Sequence, residues 1–159
     1  MRRVFQHTFL VILMVASLAI INASCNNDNC SGNSSGIPLA AFYSNGKPVS
    51  ISNLTVYGIG APNDSVIIDK ATASQVYMPF RLSTNSCKYV LNYNTEGKAN
   101  DTITFNYDAI PYFESHECGA MYNFKINSTS HTTNAIDSII IPNPMITNDD
   151  VVSIKVYMR

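Results

Sequence analysis

Residues 119–127 read Gly-Ala-Met-Tyr-Asn-Phe-Lys-Ile-Asn, and residues 151–158 read Val-Val-Ser-Ile-Lys-Val-Tyr-Met. Apolar residues occupy every second position in both segments, with mostly polar residues between them. The alternating apolar positions are Ala120, Tyr122, Phe124 and Ile126 in the first segment, and Ile154, Val156 and Met158 in the second. Because successive side chains of a strand point to opposite faces, this pattern predicts antiparallel sheets with one packed and one solvated face.

Further segments rich in β-branched and aromatic residues precede and separate these two. They are residues 38–43, 51–59, 64–69, 75–82, 87–93, 101–108 and 136–142. Asn45-Gly46 predicts a tight hairpin, and Pro79 predicts an edge or a bulge because proline lacks a backbone N–H. Short strands at intervals of about ten residues predict an all-β fold, an antiparallel β-sandwich of immunoglobulin-like or Greek-key type over residues 38–159. An up-and-down barrel is the less favoured alternative.

The N-terminus has the pattern of an export signal. Arg2 and Arg3 precede an apolar run at residues 9–21, which is shorter than the roughly 20 residues that a membrane-spanning helix needs. Ala23-Ser24 then precede Cys25, as in a bacterial lipobox, although Asn22 departs from its usual apolar residue. We therefore predict a removed lipoprotein signal peptide at residues 1–24, with ordinary secretory cleavage as the alternative.

A lipobox implies that the Cys25 thiol carries acyl chains. Two or three chains, at about 0.8 kcal/mol per buried CH₂, hold a protein on a bilayer almost permanently. Residues 25–37 are rich in Asn, Ser and Gly and predict a flexible tether after the lipidated cysteine. The expected location is the cell envelope, where the protein is lipid-anchored at the outer membrane. The sequence does not choose between the periplasmic and the surface side of that membrane.

Composition excludes several classes of function. The chain has 159 residues, 46% of them hydrophobic and 13% charged, which suits one packed domain. Loss of Arg2 and Arg3 with the signal peptide leaves 8 Lys and Arg against 11 Asp and Glu, a net charge of −3. With no basic cluster or zinc-finger spacing, we expect no nucleic-acid partner. No pattern indicates a cofactor.

The four cysteines are Cys25, Cys30, Cys87 and Cys118. Export implies an oxidising compartment, where disulfides persist. If Cys25 carries lipid, three cysteines remain and one of them is left over, and spacing alone does not choose the pair. We expect no metal site, because no Cys-x-x-Cys is present and the mature chain has two histidines.

Two other groups of residues carry weaker signals. Glu114, His116 and Glu117, beside Cys118, are the densest group of reactive side chains and define an alternative function as an envelope hydrolase. Asp149-Asp150 define a second alternative, a calcium-stabilised adhesin. Solvated acids and a polar turn are the more common interpretations of these two groups. Five tyrosines offer stacking surfaces for sugars, although such residues more often belong to cores or interfaces: Tyr43, Tyr57, Tyr77, Tyr112 and Tyr157.

Three pieces of the chain together resemble a family of small Bacteroidetes lipoproteins catalogued only as a domain of unknown function. They are Cys25 with Cys30, the Asp-Thr-Ile-Thr-Phe strand at 101–105, and the stretch from Pro111 to Gly119 followed by strands 136–141 and 154–157. The resemblance implies an anchored all-β domain with its recurring cysteines at Cys30 and Cys118. On that basis we expect a Cys30–Cys118 disulfide, which leaves Cys87 over.

The family carries no known activity or catalytic residue. The sequence therefore predicts a non-enzymatic envelope lipoprotein, attached to the bilayer through acylated Cys25. Its β-sandwich is expected to have a structural or binding role, with an envelope protein or a glycan as partner.

Overall fold

A computed structural model of the chain describes residues 35–61, 65–115 and 118–159. These residues belong to the unit Gly32–Arg159. The predicted signal peptide, Cys25 and Cys30 lie outside the described residues, so the predictions made for them stay predictions. Within the described residues, no helix is long and apolar enough to cross a membrane.

The described residues form strands and connecting segments. The strands are β1 (Leu39–Ser44), β2 (Lys47–Pro48), β3 (Ile51–Ile59), β4 (Val66–Ala73), β5 (Gln75–Tyr77), β6 (Ser86–Asn92), β7 (Asp101–Ser115), β8 (Gly119–His131), β9 (Ile136–Ile140), β10 (Met145–Ile146) and β11 (Val152–Met158). Two of them, β2 and β10, have two residues each and were not predicted.

Two sheets in a sandwich-like arrangement confirm the predicted all-β sandwich. One sheet has the order β2-β1-β11-β9, with β5 also pairing with β1, and the other has the order β10-β8-β7-β6-β3-β4. All strand pairs are antiparallel except β1 and β11, which run parallel and join the two ends of the domain. The separation into two sheets decides against the barrel alternative.

The core lies between the sheets, where the apolar faces predicted from the alternation meet. Phe42 of β1 and Ile154 and Val156 of β11 are fully buried, as are Leu54 of β3 and Phe105 of β7. The largest aromatic cluster surrounds Phe80, a core residue that belongs to no strand. Its ring stacks on Tyr107 at a centroid distance of 4.2 Å and meets Phe124 edge-on at 5.6 Å.

The hairpin predicted at Asn45-Gly46 is confirmed. Ser44 of β1 pairs with Lys47 of β2 across this two-residue turn. Asn45 and Gly46 both have positive φ angles, 51° and 74°. A type I′ turn needs positive φ at both central residues, and Asn-Gly meets that need at the lowest steric cost.

The predicted strand 75–82 is wrong in its second half. Strand β5 ends at Tyr77, and the chain then crosses to the other sheet as an irregular segment around Pro79. Val76, Met78 and Phe80 are buried as the alternation predicts, but Leu82 is 55% exposed. Proline contributes no ladder N–H, and the segment beyond it is bound by tyrosine hydroxyls instead of a neighbouring strand.

Strands β7 and β8 are both longer than predicted. Strand β7 continues through Pro111 to Ser115, and β8 continues to His131, which pairs with Ile103 near the start of β7. Pro111 lies opposite Tyr122 of β8. Tyr122 directs its own N–H and C=O to Ser35 and Gly36, away from β7. The two residues therefore form a non-hydrogen-bonded pair, in which the missing N–H of Pro111 would have pointed away from β8.

Candidate functional site

The turn between β7 and β8 carries the residues of the hydrolase hypothesis. Ser115 pairs with Gly119 across the turn, and the Cys118 N–H donates to Ser115 Oγ at 3.1 Å. Gly119 has a φ of 71°, which a residue with a side chain adopts only at a cost. His116, Glu117 and the Glu114 side chain lie outside the described residues, so their catalytic role stays an untested prediction.

The end of the predicted tether packs against β8. The Gly36 N–H donates to the Tyr122 carbonyl at 2.8 Å, and the Tyr122 N–H donates to Ser35 Oγ at 3.2 Å. A Cβ atom on Gly36 would lie 2.6 Å from the Ile146 carbonyl oxygen, so only glycine fits between β8 and β10. Residues 35–37, which we name the lead-in, therefore form part of the packed domain.

The cysteines of the domain are in two different states. Cys87 is free and buried in β6, which confirms that it is the cysteine left over. Cys118 is disulfide-bonded. Because Cys30 lies outside the described residues, its pairing with Cys118 stays a prediction, and so does the acylation of Cys25.

The acidic pair of the calcium hypothesis lies beside the lead-in. Thr147 Oγ1 donates to Asp149 Oδ2 at 2.7 Å, and the Tyr77 hydroxyl donates to Asp150 Oδ1. The hydrogen bond to Asp150 raises the pKa of Tyr77. These side chains border a shallow depression together with Ile37. Among the described residues, no three acidic, histidine or cysteine side chains converge as metal ligands, and the calcium hypothesis stays untested.

Two of the five candidate tyrosines come together on one face. Tyr43 of β1 and Tyr157 of β11 are directly paired, with ring centroids 5.5 Å apart. Lys155 Nζ lies 5.4 Å from the centre of the Tyr43 ring. Both tyrosines are half-buried on the face of the sheet opposite Phe42. We name Tyr43, Lys155 and Tyr157 the tyrosine platform; Tyr57, Tyr77 and Tyr112 lie on other strands.

A buried carboxylate, which the sequence reasoning did not single out, joins the two sheets. Asp101 begins β7 and is fully buried. Its Oδ1 accepts hydrogen bonds from Thr132 Oγ1 at 2.7 Å and the Asn134 N–H at 2.8 Å. Its Oδ2 accepts from the N–H groups of Ala135 and Ile136 at 2.7 and 3.1 Å, and from the hydroxyl of Tyr93 at 2.8 Å.

These five hydrogen bonds set the protonation state of Asp101. Burial opposes ionisation, but the bonds from Thr132, the Ala135 amide, Tyr93 and the Asn134 amide outweigh it and lower the pKa of the carboxyl. The bonded segment, residues 132–136, carries the chain from β8 to β9 and so from one sheet to the other. The sequence did contain a signal that Asp101 faces inward. It lies on the same face of β7 as Ile103, Phe105 and Tyr107, because these residues occupy every second position.

A cavity of about 300 Å³ lies under the segment Pro79–Arg81, which we name the roof segment. The ends of β3, β4 and β6 form its other walls. The Tyr107 hydroxyl accepts from the Arg81 N–H at 3.0 Å and donates to the Arg81 carbonyl at 2.8 Å. The Tyr89 hydroxyl donates to the Pro79 carbonyl. No sequence pattern indicated this cavity, because its walls come from four separate segments between Gly58 and Tyr89 that meet only in the fold.

Comparison with known protein families matches residues 53–158 to a family of unknown function, DUF6452. The match covers more than half of the chain and extends from β3 to the end of β11, and the chain belongs to this family. No curated protein and no solved structure matches it significantly.

Proposed function

We propose that this member of the DUF6452 family is a Bacteroidetes lipoprotein of the outer membrane. Its β-sandwich is a non-enzymatic binding or structural module, held on the bilayer through acylated Cys25. The observation that carries the proposal is the N-terminal order of Arg2-Arg3, an apolar run too short to span a bilayer, and Ala23-Ser24-Cys25.

The packing of the lead-in supports an attachment at this end of the domain. Ser35 and Gly36 make two hydrogen bonds with Tyr122, and Gly36 fits a space that excludes a side chain. The chain therefore enters the domain at a fixed point, on the side from which the proposed anchor would be reached. A disulfide from Cys30 to Cys118 would attach the chain to the β7–β8 turn a few residues before the lead-in.

The mass of the mature protein tests the anchor. We expect a polypeptide that starts at Cys25 and carries acyl chains, recovered in the membrane fraction. Cys25→Ala should abolish the acyl mass and the membrane association together. Cys30→Ser, five residues further along, is the matched control and should leave both intact. A wild-type protein that starts at another residue and carries no acyl mass would refute the proposal.

The tyrosine platform supports a glycan as the partner. Two adjacent aromatic rings beside a cationic side chain offer a surface on which a sugar ring stacks while its hydroxyls meet Lys155. Binding of the detergent-solubilised protein to purified envelope glycans tests this. Tyr157→Ala should remove binding while circular dichroism still shows the native fold, and Tyr57→Ala, on another strand, should retain binding. Retained binding in Tyr157→Ala would place the partner elsewhere.

A further inference from the structure

The cavity under the roof segment has an apolar body. Its lining residues include Gly58, Ile59, Ala61, Ile67, Phe80 and Tyr89. The thiol of Cys87 also lines it and stays neutral, because burial raises the pKa of this thiol to about 12. The hydroxyl of Tyr89 is occupied by the Pro79 carbonyl. The wall therefore offers an apolar molecule few unpaired polar groups.

The charged residues that the structure describes at the cavity are cationic. Arg81 and Lys88 both line it, and the described lining residues include no acidic side chain. The Arg81 guanidinium donates from Nη1 to the Gly60 carbonyl at 2.6 Å and from Nη2 to the Ile59 carbonyl at 3.5 Å. A guanidinium has five N–H donors, so these two bonds fix its position and leave donors for an anion.

The protein's own side chains hold the roof segment in place. Tyr107 holds both backbone groups of Arg81, and Tyr89 holds the Pro79 carbonyl. Between them the Phe80 ring stacks on Tyr107 and contacts Phe105 at a centroid distance of 5.5 Å. A roof bound at three successive residues does not need to order when a ligand enters, which is the usual state of small-molecule sites.

We propose that this cavity binds a medium-length acyl chain with an anionic head group, its chain under Phe80 and its head on Arg81. A cavity of about 150 Å³ holds one benzene ring, so a volume near 300 Å³ suits a chain of about ten carbon atoms. The apolar wall selects the chain, and the cationic rim selects a carboxylate or phosphate over a neutral head. The site is separate from the proposed anchor at Cys25 and does not depend on it.

Methyl NMR of the full chain in zwitterionic lipid nanodiscs, titrated with decanoate, tests the proposal. The methyl signals of Ile59 and Ile67 should shift saturably, while that of Ile140, exposed on β9, should not. Decanol, which has the same chain and no charge, is the matched ligand and should bind more weakly. Because each protein sample meets the same lipid, loss of ligand into the bilayer affects all variants equally.

Three variants separate the chain from the head group. Arg81→Gln should weaken decanoate about tenfold or more and leave decanol unchanged, since charge-assisted hydrogen bonds are lost only with the anion. Gly58→Ala should weaken both ligands, because the added methyl would lie 3.5 Å from Tyr89 Cε1 and take volume from the cavity without meeting backbone. Lys47→Gln, exposed on β2, should change neither.

The proposal is overturned if millimolar decanoate leaves Ile59 and Ile67 unshifted, or if Arg81→Gln binds decanoate as tightly as the wild type does. Either result leaves the mass of Cys25 and the anchoring proposal untouched, so the two failures are distinguishable.

Discussion

Replacing Asp101 by Asn should destabilise the domain more than any exposed acid-to-amide change. The wild-type carboxylate accepts five hydrogen bonds, three of them from the backbone N–H groups of residues 134, 135 and 136. An Asn side chain has one acceptor oxygen and one NH₂ group, and the NH₂ would face donors. The hydroxyls of Thr132 and Tyr93 can rotate to accept, but a backbone N–H cannot.

The magnitude follows from those donors. If the amide oxygen of the variant side chain faces Ala135 and Ile136, its NH₂ group faces the Asn134 N–H, and a buried donor without a partner costs about 1–3 kcal/mol. The remaining hydrogen bonds lose their charge assistance, which is worth roughly 1 kcal/mol for each of two or three bonds. We expect the free energy of unfolding to fall by about 3–5 kcal/mol, with the connection from β8 to β9 loosened first.

Denaturant unfolding of the full chain, followed by circular dichroism with the disulfide intact, measures this loss. Asp108→Asn is the matched control: Asp108 lies on the same strand, is exposed, and accepts one bond from Asn127 Nδ2. It should change stability by no more than about 0.5 kcal/mol. A loss below about 1 kcal/mol in Asp101→Asn, or one equal to the control, would refute the reasoning.

The pH dependence gives a second test of the same carboxylate. The pKa of Asp101 is lower in the folded protein than the ordinary value of about 3.9 in an unfolded chain. Its contribution is therefore complete above about pH 4 and is lost as the pH falls through the folded pKa. The stability difference between wild type and Asp101→Asn should be constant from pH 8 to 5 and should narrow below pH 4. A difference independent of pH down to pH 2 would contradict an ionised Asp101.

Three further predictions concern the lead-in, the roof segment and the free cysteine. Gly36→Ala should lower the free energy of unfolding by about 1–3 kcal/mol in thermal melts, because its Cβ would lie 2.6 Å from the Ile146 carbonyl oxygen. Gly58→Ala, whose Cβ has its nearest contact at 3.5 Å, should cost under about 1 kcal/mol, and equal losses in the two variants would count against the packed lead-in. Tyr107→Phe should lower the free energy of unfolding by about 1–2 kcal/mol in denaturant titrations, because it removes both hydrogen bonds to Arg81 and keeps the ring stacked on Phe80. Tyr157→Phe should change the same free energy by no more than about 0.5 kcal/mol. Alkylation of Cys87 at pH 8, followed by mass spectrometry, should be slower than alkylation of an unfolded control by a factor on the order of a thousand, because the thiol is buried and its pKa is raised to about 12. Comparable rates in the two samples would show that β6 opens readily.

The strands of this protein were largely predictable because each sheet has one packed face. The run of β-branched and aromatic residues placed the bounds of β3 at Ile51 and Ile59, where the structure has them. The prediction missed the second half of β7, which was predicted to end at residue 108 and continues through Pro111 to Ser115. Pro111 lies inside β7 because its position in the pair with Tyr122 requires no N–H toward β8, and that depends on register, which local sequence does not contain.

The candidate sites were less predictable, because each depends on separate segments that meet only in the folded domain. Asp101 alternates in register with the buried residues of β7, which marked it as inward-facing, but four of its five hydrogen-bond partners lie 31–35 residues further along the chain. The cavity forms only when the roof segment packs against the ends of β3, β4 and β6. Tyr43 and Tyr157 meet because the first and last strands pair in parallel, and an alternating pattern predicts no particular neighbour.

Polar side chains at the connections between the sheets supply the information that the apolar pattern lacks. Alternation determines which face of a strand is buried and says little about which strands become neighbours. In this domain, Asp101 fixes the connection from β8 to β9, and the hydroxyls of Tyr89 and Tyr107 fix the connection from β5 to β6. Each of these groups bonds backbone that has no strand partner, and a wrong arrangement would leave those buried groups unpaired at about 1–3 kcal/mol each. At these two crossings between the sheets, buried polar groups therefore favour the native arrangement over others, and the roof segment of the cavity is one of the two.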